Sequence, residues 1–164
     1  MGTLIEAIIF DGDPRTAAVP QGVRTAQLQV GLTMLPVTGE LLSHVDSAAV
    51  GDQRIPSGWM LKQPVAALAR ALSADRRVLY IFSETAGGPG TKEAIAWHHG
   101  RLLYGPSGTC DIEADFEPGY HLAPSDNAVN AGLRAIGVRA SDDRDEYETV
   151  GLSRHRMTDD WLTG

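Results

Sequence analysis

The chain has 164 residues, 43% of them hydrophobic and 21% charged, whereas a disordered polymer would be poorer in aliphatics and more one-sided in charge. A domain of this length removes roughly two-thirds of its unfolded surface from water, so a single domain over 1–164 needs no disulfide or metal staple. Twenty-one acidic against 14 basic residues give a net charge of −7, which weighs against nucleic acid or an anionic membrane as the main partner and favours a basic protein.

From Thr3 to Phe10 a short apolar run predicts a strand, stopped by the turn residues Asp11-Gly12-Asp13-Pro14. Residues 15–26 show no clear period. Between Gln27 and Met34, Leu28, Val30, Leu32 and Met34 alternate with Gln27, Gln29, Gly31 and Thr33, the period of one strand with a buried face. Residues 43–62 are rich in turn formers and read as a surface connection. Pro64 suits the first turn of a helix over about 64–74, whose apolar face is Val65, Leu68, Ala69 and Leu72, and Arg76 and Arg77 would complement its dipole. Val78 to Phe82 has the composition of a central strand, and the segments ending at Trp97 and Tyr104 continue it as a meander through a tight turn at His98-His99-Gly100. Ser107 to Pro124 reads as an acidic loop. Asp126 is placed to cap a helix over about 126–137 with Val129, Leu133 and Ile136 on its apolar face, Gly132 allowing close approach and Gly137 a left-handed stop. Val138 to Glu148 is polar and charged. The fold class expected is α+β: a mostly antiparallel sheet with two main helices.

Candidate functional residues are few. Gly87-Gly88-Pro89-Gly90 lies between two predicted strands, with Lys92 beyond it; a phosphate-binding loop would open a helix instead. A side-chain-poor hairpin tip of this kind brings backbone close to a partner. The tail carries Arg154, His155, Arg156, Asp160 and Trp161, enough for Arg–carboxylate pairs that would latch the terminus to the body. Asp11 and Asp13 after an apolar strand resemble the first motif of haloacid-dehalogenase-like phosphatases, which implies a nucleophile and a general acid, but Pro14-Arg15 stand where that family has Gly-Thr. His98 and His99 are adjacent on a turn and point apart, so neither a metal site nor a cofactor is expected. Cys110 is the single cysteine, so no internal disulfide forms; with no basic, apolar leader before Phe10 and no long apolar run, a cytoplasmic protein is expected.

Taken together, Gly87-Gly88-Pro89-Gly90, Trp97, Gly100, Gly105-Pro106, the stretch Asn130 to Val138 containing Leu133, Arg134 and Gly137, and the terminal Gly151-Leu152, His155-Arg156, Thr158 and Asp160-Trp161-Leu162 resemble small bacterial immunity factors. These include relatives of the immunity factor of the tuberculosis necrotizing toxin, an NAD glycohydrolase. The resemblance covers Val78–Leu162, about half the chain. It implies an antitoxin that binds a cognate toxin and blocks its active site, with the glycine loop as the obstructing element. A phosphatase using Asp11 and Asp13, or a non-catalytic regulatory subunit, are the alternatives.

Overall fold

The computed structural model describes residues 2–16, 19–45, 60–85, 90–109, 121–122 and 127–163. Its centre is three long strands, β1 (Thr3–Asp11), β4 (Arg77–Thr85) and β5 (Thr91–His98), each apolar on both faces for most of its length. Such strands can be stable only inside a sheet covered on both sides. They pair antiparallel, β1 with β4 from Thr3↔Thr85 to Phe10↔Val78 and β4 with β5 from Arg77↔His98 to Glu84↔Thr91. With β2 (Ala26–Gln27), β3 (Leu32–Pro36), β6 (Arg101–Thr109) and β7 (His121–Leu122) they form a seven-stranded sheet in the order β2-β3-β1-β4-β5-β6-β7. Six strands are antiparallel, and the two-residue β7 adds in parallel to Ser107 and Gly108.

Strand parity divides the core. Ile8, Phe10, Val78, Tyr80, Phe82, Ile95 and Trp97 point to one face, covered by α2 (Gln63–Leu72) and by Leu41 of α1 (Gly39–His44). Ile5, Ala7, Ile9, Leu79, Ile81, Ala94 and Ala96 point to the other, covered by α3 (Ala128–Ala135), by Val150 just after α4 (Glu146–Thr149), and by the tail. Each fully buried aliphatic or aromatic side chain contributes about 1.5–3 kcal/mol.

α2 and α3 are the two predicted helices, and Pro64 stands in the first turn of α2. The α3 cap is Asn127, whose Oδ1 accepts from the N–H groups of Val129 (2.9 Å) and Asn130 (3.4 Å); Asp126, the expected cap, lies outside the described residues. Gly137, at φ +99°, ends the helix as expected, and Gly137 and Val138 donate back to the carbonyls of Arg134 and Leu133. A Cβ on Gly132 would lie 2.7 Å from Leu79 Cδ1 and 2.9 Å from Ala94 Cβ, so α3 approaches β4 and β5 to a distance only glycine allows. Asn130 and Arg134 hold α4 against α3. Asn130 accepts from the Tyr147 N–H at 2.9 Å and donates to Asp145 at 3.1 Å, and Arg134 pairs with the buried Glu146 at 3.0 Å.

Several expectations are corrected. Gln27–Met34 is not one strand. The chain reverses at Val30 (φ +55°) and Gly31 (φ +78°), both left-handed as in a type I′ turn, and Leu28 donates to the Leu32 carbonyl across it. Val30, expected inside, is 63% exposed. Arg76 and Arg77 do not cap α2: Arg70 is the basic residue of its last turn and donates to the Gly100 carbonyl, Arg76 pairs with Asp75, and Arg77 opens β4. The polar stretch 138–148 contains the start of α4, and the 107–124 loop contributes the end of β6 and all of β7. The 43–62 connection begins in α1, and its residues 46–59 lie outside the described ones.

Gly132→Val is expected to destabilise the protein by about 2 kcal/mol or more, because a branched side chain must push α3 off the sheet. Urea unfolding measures this; an unchanged midpoint would mean that α3 does not pack as described.

Candidate functional site

The two ends of the central sheet differ, and the predicted site residues that are described fall at one or the other. At the first end β4 turns into β5. Gly87, Gly88 and Pro89, the expected contact tip, lie outside the described residues. Gly90 closes the hairpin base, and a Cβ there would collide with the Glu84 backbone carbonyl. Lys92 is in register with Ser83 on one side and Thr109 on the other and is partly buried.

Beside this base is a polar cluster that sequence reasoning missed. Glu6, Phe82 and Glu93 are cross-strand neighbours in one row of β1, β4 and β5, so two carboxylates flank one phenyl ring on the α2 face. The Tyr80 hydroxyl, one row inward, donates to Glu6 Oε1 at 2.8 Å. Glu93 is only 3% exposed and accepts the Met60 N–H at 3.0 Å, fastening the segment that leads into α2. Burial, reinforced by the charge of Glu6 and opposed by the Met60 hydrogen bond, pushes the Glu93 carboxyl up to about 7. Burial raises Glu6 as well, against the Tyr80 hydrogen bond and Lys62, and burial followed by the Glu6 charge raises the Tyr80 phenol. The signal was present: Glu6 shares parity with Ile8 and Phe10, and Glu93 with Ile95 and Trp97, so the period that predicts the strands already turns both carboxyls inward.

The direction of the Glu93 shift sets a pH dependence. Folded Glu93 holds its proton up to about 7 while an ordinary glutamate releases it near 4.5, so the native state binds more protons in that window and stability falls as pH rises through it. Unfolding free energy measured from pH 4.5 to 8 is expected to decline, and Glu93→Gln, which keeps an acceptor for Met60, is expected to flatten the decline. A variant with the parental slope would show that Glu93 titrates normally.

The tail occupies the same end. Beyond Ala7, β1 has no β3 partner, and residues 156–158 take that place. Leu4 N–H donates to the Arg156 carbonyl at 2.8 Å, Glu6 N–H donates to Thr158 Oγ1 at 3.0 Å, and the same hydroxyl donates to the Leu4 carbonyl at 3.0 Å. Trp161 is buried beneath the Arg154 guanidinium, 5.0 Å from the ring centroid, with His155 edge-on at 4.8 Å. Arg154 also donates to the Gln27 carbonyl at 2.8 Å. The Arg–carboxylate pairs expected of the tail are absent among the described residues: the Arg156 and Asp160 side chains are exposed, and backbone, hydroxyl and ring contacts hold the segment. Thr158→Val would leave the Glu6 N–H without its partner in a buried edge and is expected to cost about 1–3 kcal/mol. Asp160→Ala is expected to stay within about 0.5 kcal/mol. Equal midpoints for the two variants would contradict these assignments of the tail contacts.

At the opposite end β1 runs out at Asp11. Asp13 accepts the Arg15 N–H and guanidinium at 2.8 Å, and the Arg15 hydrogen bonds hold its carboxyl below the usual range. A general acid needs the proton that this arrangement disfavours, so Asp13 is poorly suited to the role that the phosphatase resemblance implies. Cys110 lies outside the described residues. His98 and His99, expected to point apart, instead stack with centroids 3.8 Å apart, and the His99 N–H docks the β5–β6 turn on the Ser73 carbonyl at 2.6 Å. A cleft of about 390 Å³ opens beside Asp11, lined also by Val30, Leu32, Ile136, Val138 and Arg139. Among the described residues no group of three metal-capable side chains occurs, and no helix is long and apolar enough to cross a membrane.

Neither a family model nor a curated protein nor a solved structure matches this chain.

Proposed function

We propose that the chain is an immunity-type binding protein that neutralises a cognate toxin in the cytoplasm by seating the β4–β5 hairpin in the toxin's active-site cleft. The observation that carries this reading is the ladder behind the hairpin. β4 and β5 pair without a register shift from Arg77↔His98 to Glu84↔Thr91, they are central in the sheet, and Gly90 closes the base against the Glu84 carbonyl. A stiff support lowers the ordering cost of the strands that flank a contact element, which is one way preorganised elements gain affinity. The resemblance of Val78–Leu162 to immunity factors supports the same reading and makes an NAD glycohydrolase one class of target. The net charge of −7 would speed encounter with a basic toxin.

An interface adequate for neutralisation buries on the order of 1,600 Å² in total. Co-expression with a candidate toxin, such as an NAD glycohydrolase, is expected to yield a stable complex and to protect the host cell, and Gly88→Trp is expected to abolish both while leaving thermal stability unchanged. Full protection by Gly88→Trp would remove the hairpin from the mechanism. A stable partner without enzymatic activity would favour a regulatory subunit instead.

A further inference from the structure

The cleft beside Asp11 lies at the far end of the sheet from the hairpin, and its chemistry is independent of the function proposed above. Val30 stands at its mouth. The first central position of a type I′ turn favours Asn, Asp or Gly, and a β-branched residue with positive φ is an outlier. Val30 nevertheless holds φ +55° while 63% of it faces solvent. Its side chain therefore contributes little to the core and strains the turn. A residue of that kind, presenting bare aliphatic carbon at the rim of a cleft floored by Leu32, Ile136 and Val138, points to a contact from outside the chain.

The charges around the cleft give that contact a sign. Arg139 lines it, and the Arg77 guanidinium stands 3.0 Å from where a Cβ on Gly137 would lie. Among the described residues neither arginine forms an ion pair. Asp11, the acidic residue of the lining, is answered by Arg76, which donates to the Asp11 carbonyl at 3.2 Å and is attracted by its carboxylate. Arg76 is in turn paired with Asp75 at 2.9 Å. Three arginines, Arg76, Arg77 and Arg139, against two carboxylates, Asp11 and Asp75, at an apolar lining, in a chain of net charge −7, complement an anion with an apolar body.

We propose that this cleft is a binding site for a small amphiphilic carboxylate, with its apolar body against Val30, Leu32, Ile136 and Val138 and its carboxylate at Arg139. Octanoate is the probe, with octylamine and leucine as head-group controls, in titrations followed by amide NMR and calorimetry. Octanoate is expected to bind saturably and to shift Gly31, Leu32, Gly137 and Val138. Arg139→Gln should weaken it about tenfold, the scale of one charge-assisted hydrogen bond. Val30→Asn should raise the thermal midpoint by relieving the turn while weakening octanoate several-fold. Gly88→Trp should bind octanoate like the parent, which separates failure of this site from failure of the hairpin reading. Absence of saturable binding, equal or tighter binding of octylamine or leucine, or a Val30→Asn protein with unchanged midpoint and affinity would overturn the proposal.

Discussion

β1, β4 and β5 carry apolar side chains on both faces, and a sheet of that kind persists only where water is kept from both sides. The rest of the architecture answers this requirement. One face receives α2, entered through Pro64 and tied to the β5–β6 turn by Ser73 and Arg70. The other receives α3, which comes close enough only because Gly132 lies over Leu79 and Ala94. Asn130 and Arg134 then hold α4 on the outside of α3, and the tail with Trp161 closes the same layer.

The cover is incomplete where β1 outruns β3, and the chain closes that gap with its own tail. Residues 156–158 pair with Leu4 and Glu6 through one backbone hydrogen bond and the two made by Thr158. An exposed strand edge invites pairing with other chains, so the tail both completes the sheet and protects it. The same end holds the Glu6–Tyr80–Glu93 cluster beneath the 60–62 segment. Buried carboxyls are tolerated there because Tyr80 and Met60 donate to them and because a raised proton affinity keeps charge off Glu93 over part of the pH range. The base of the β4–β5 hairpin thus rests on a hydrogen-bonded platform.

Much of this was legible in the residues. The composition of Val78–Phe82, the face of Val65, Ala69 and Leu72, and the pairing of Gly132 with Gly137 pointed to the central strand, α2 and α3, because burial on regular elements imposes periods that a sequence displays. The 27–34 segment misled because a two-residue reversal leaves Leu28 and Leu32 both inward, so alternation continues across a turn that Val30 does little to advertise. Of the tail residues expected to latch it, Arg154 and His155 sit on the buried Trp161, whereas charge drew attention to Arg156 and Asp160, whose side chains are exposed, and the Arg156 carbonyl and Thr158 hydroxyl that bind β1 are inconspicuous in a sequence. The cleft could not be read at all. It joins Asp11, Val30 and Arg139, three positions far apart in the chain that only the closed sheet brings together.

Amide hydrogen exchange under native conditions tests the two-sided cover of the central strands most directly. Slowest exchange is expected at Val78–Phe82 and Ile8–Phe10, with protection falling outward through β5 to β6 and to β2. Central amides that exchange as fast as those of Leu102 and Leu103 in β6 would contradict that cover.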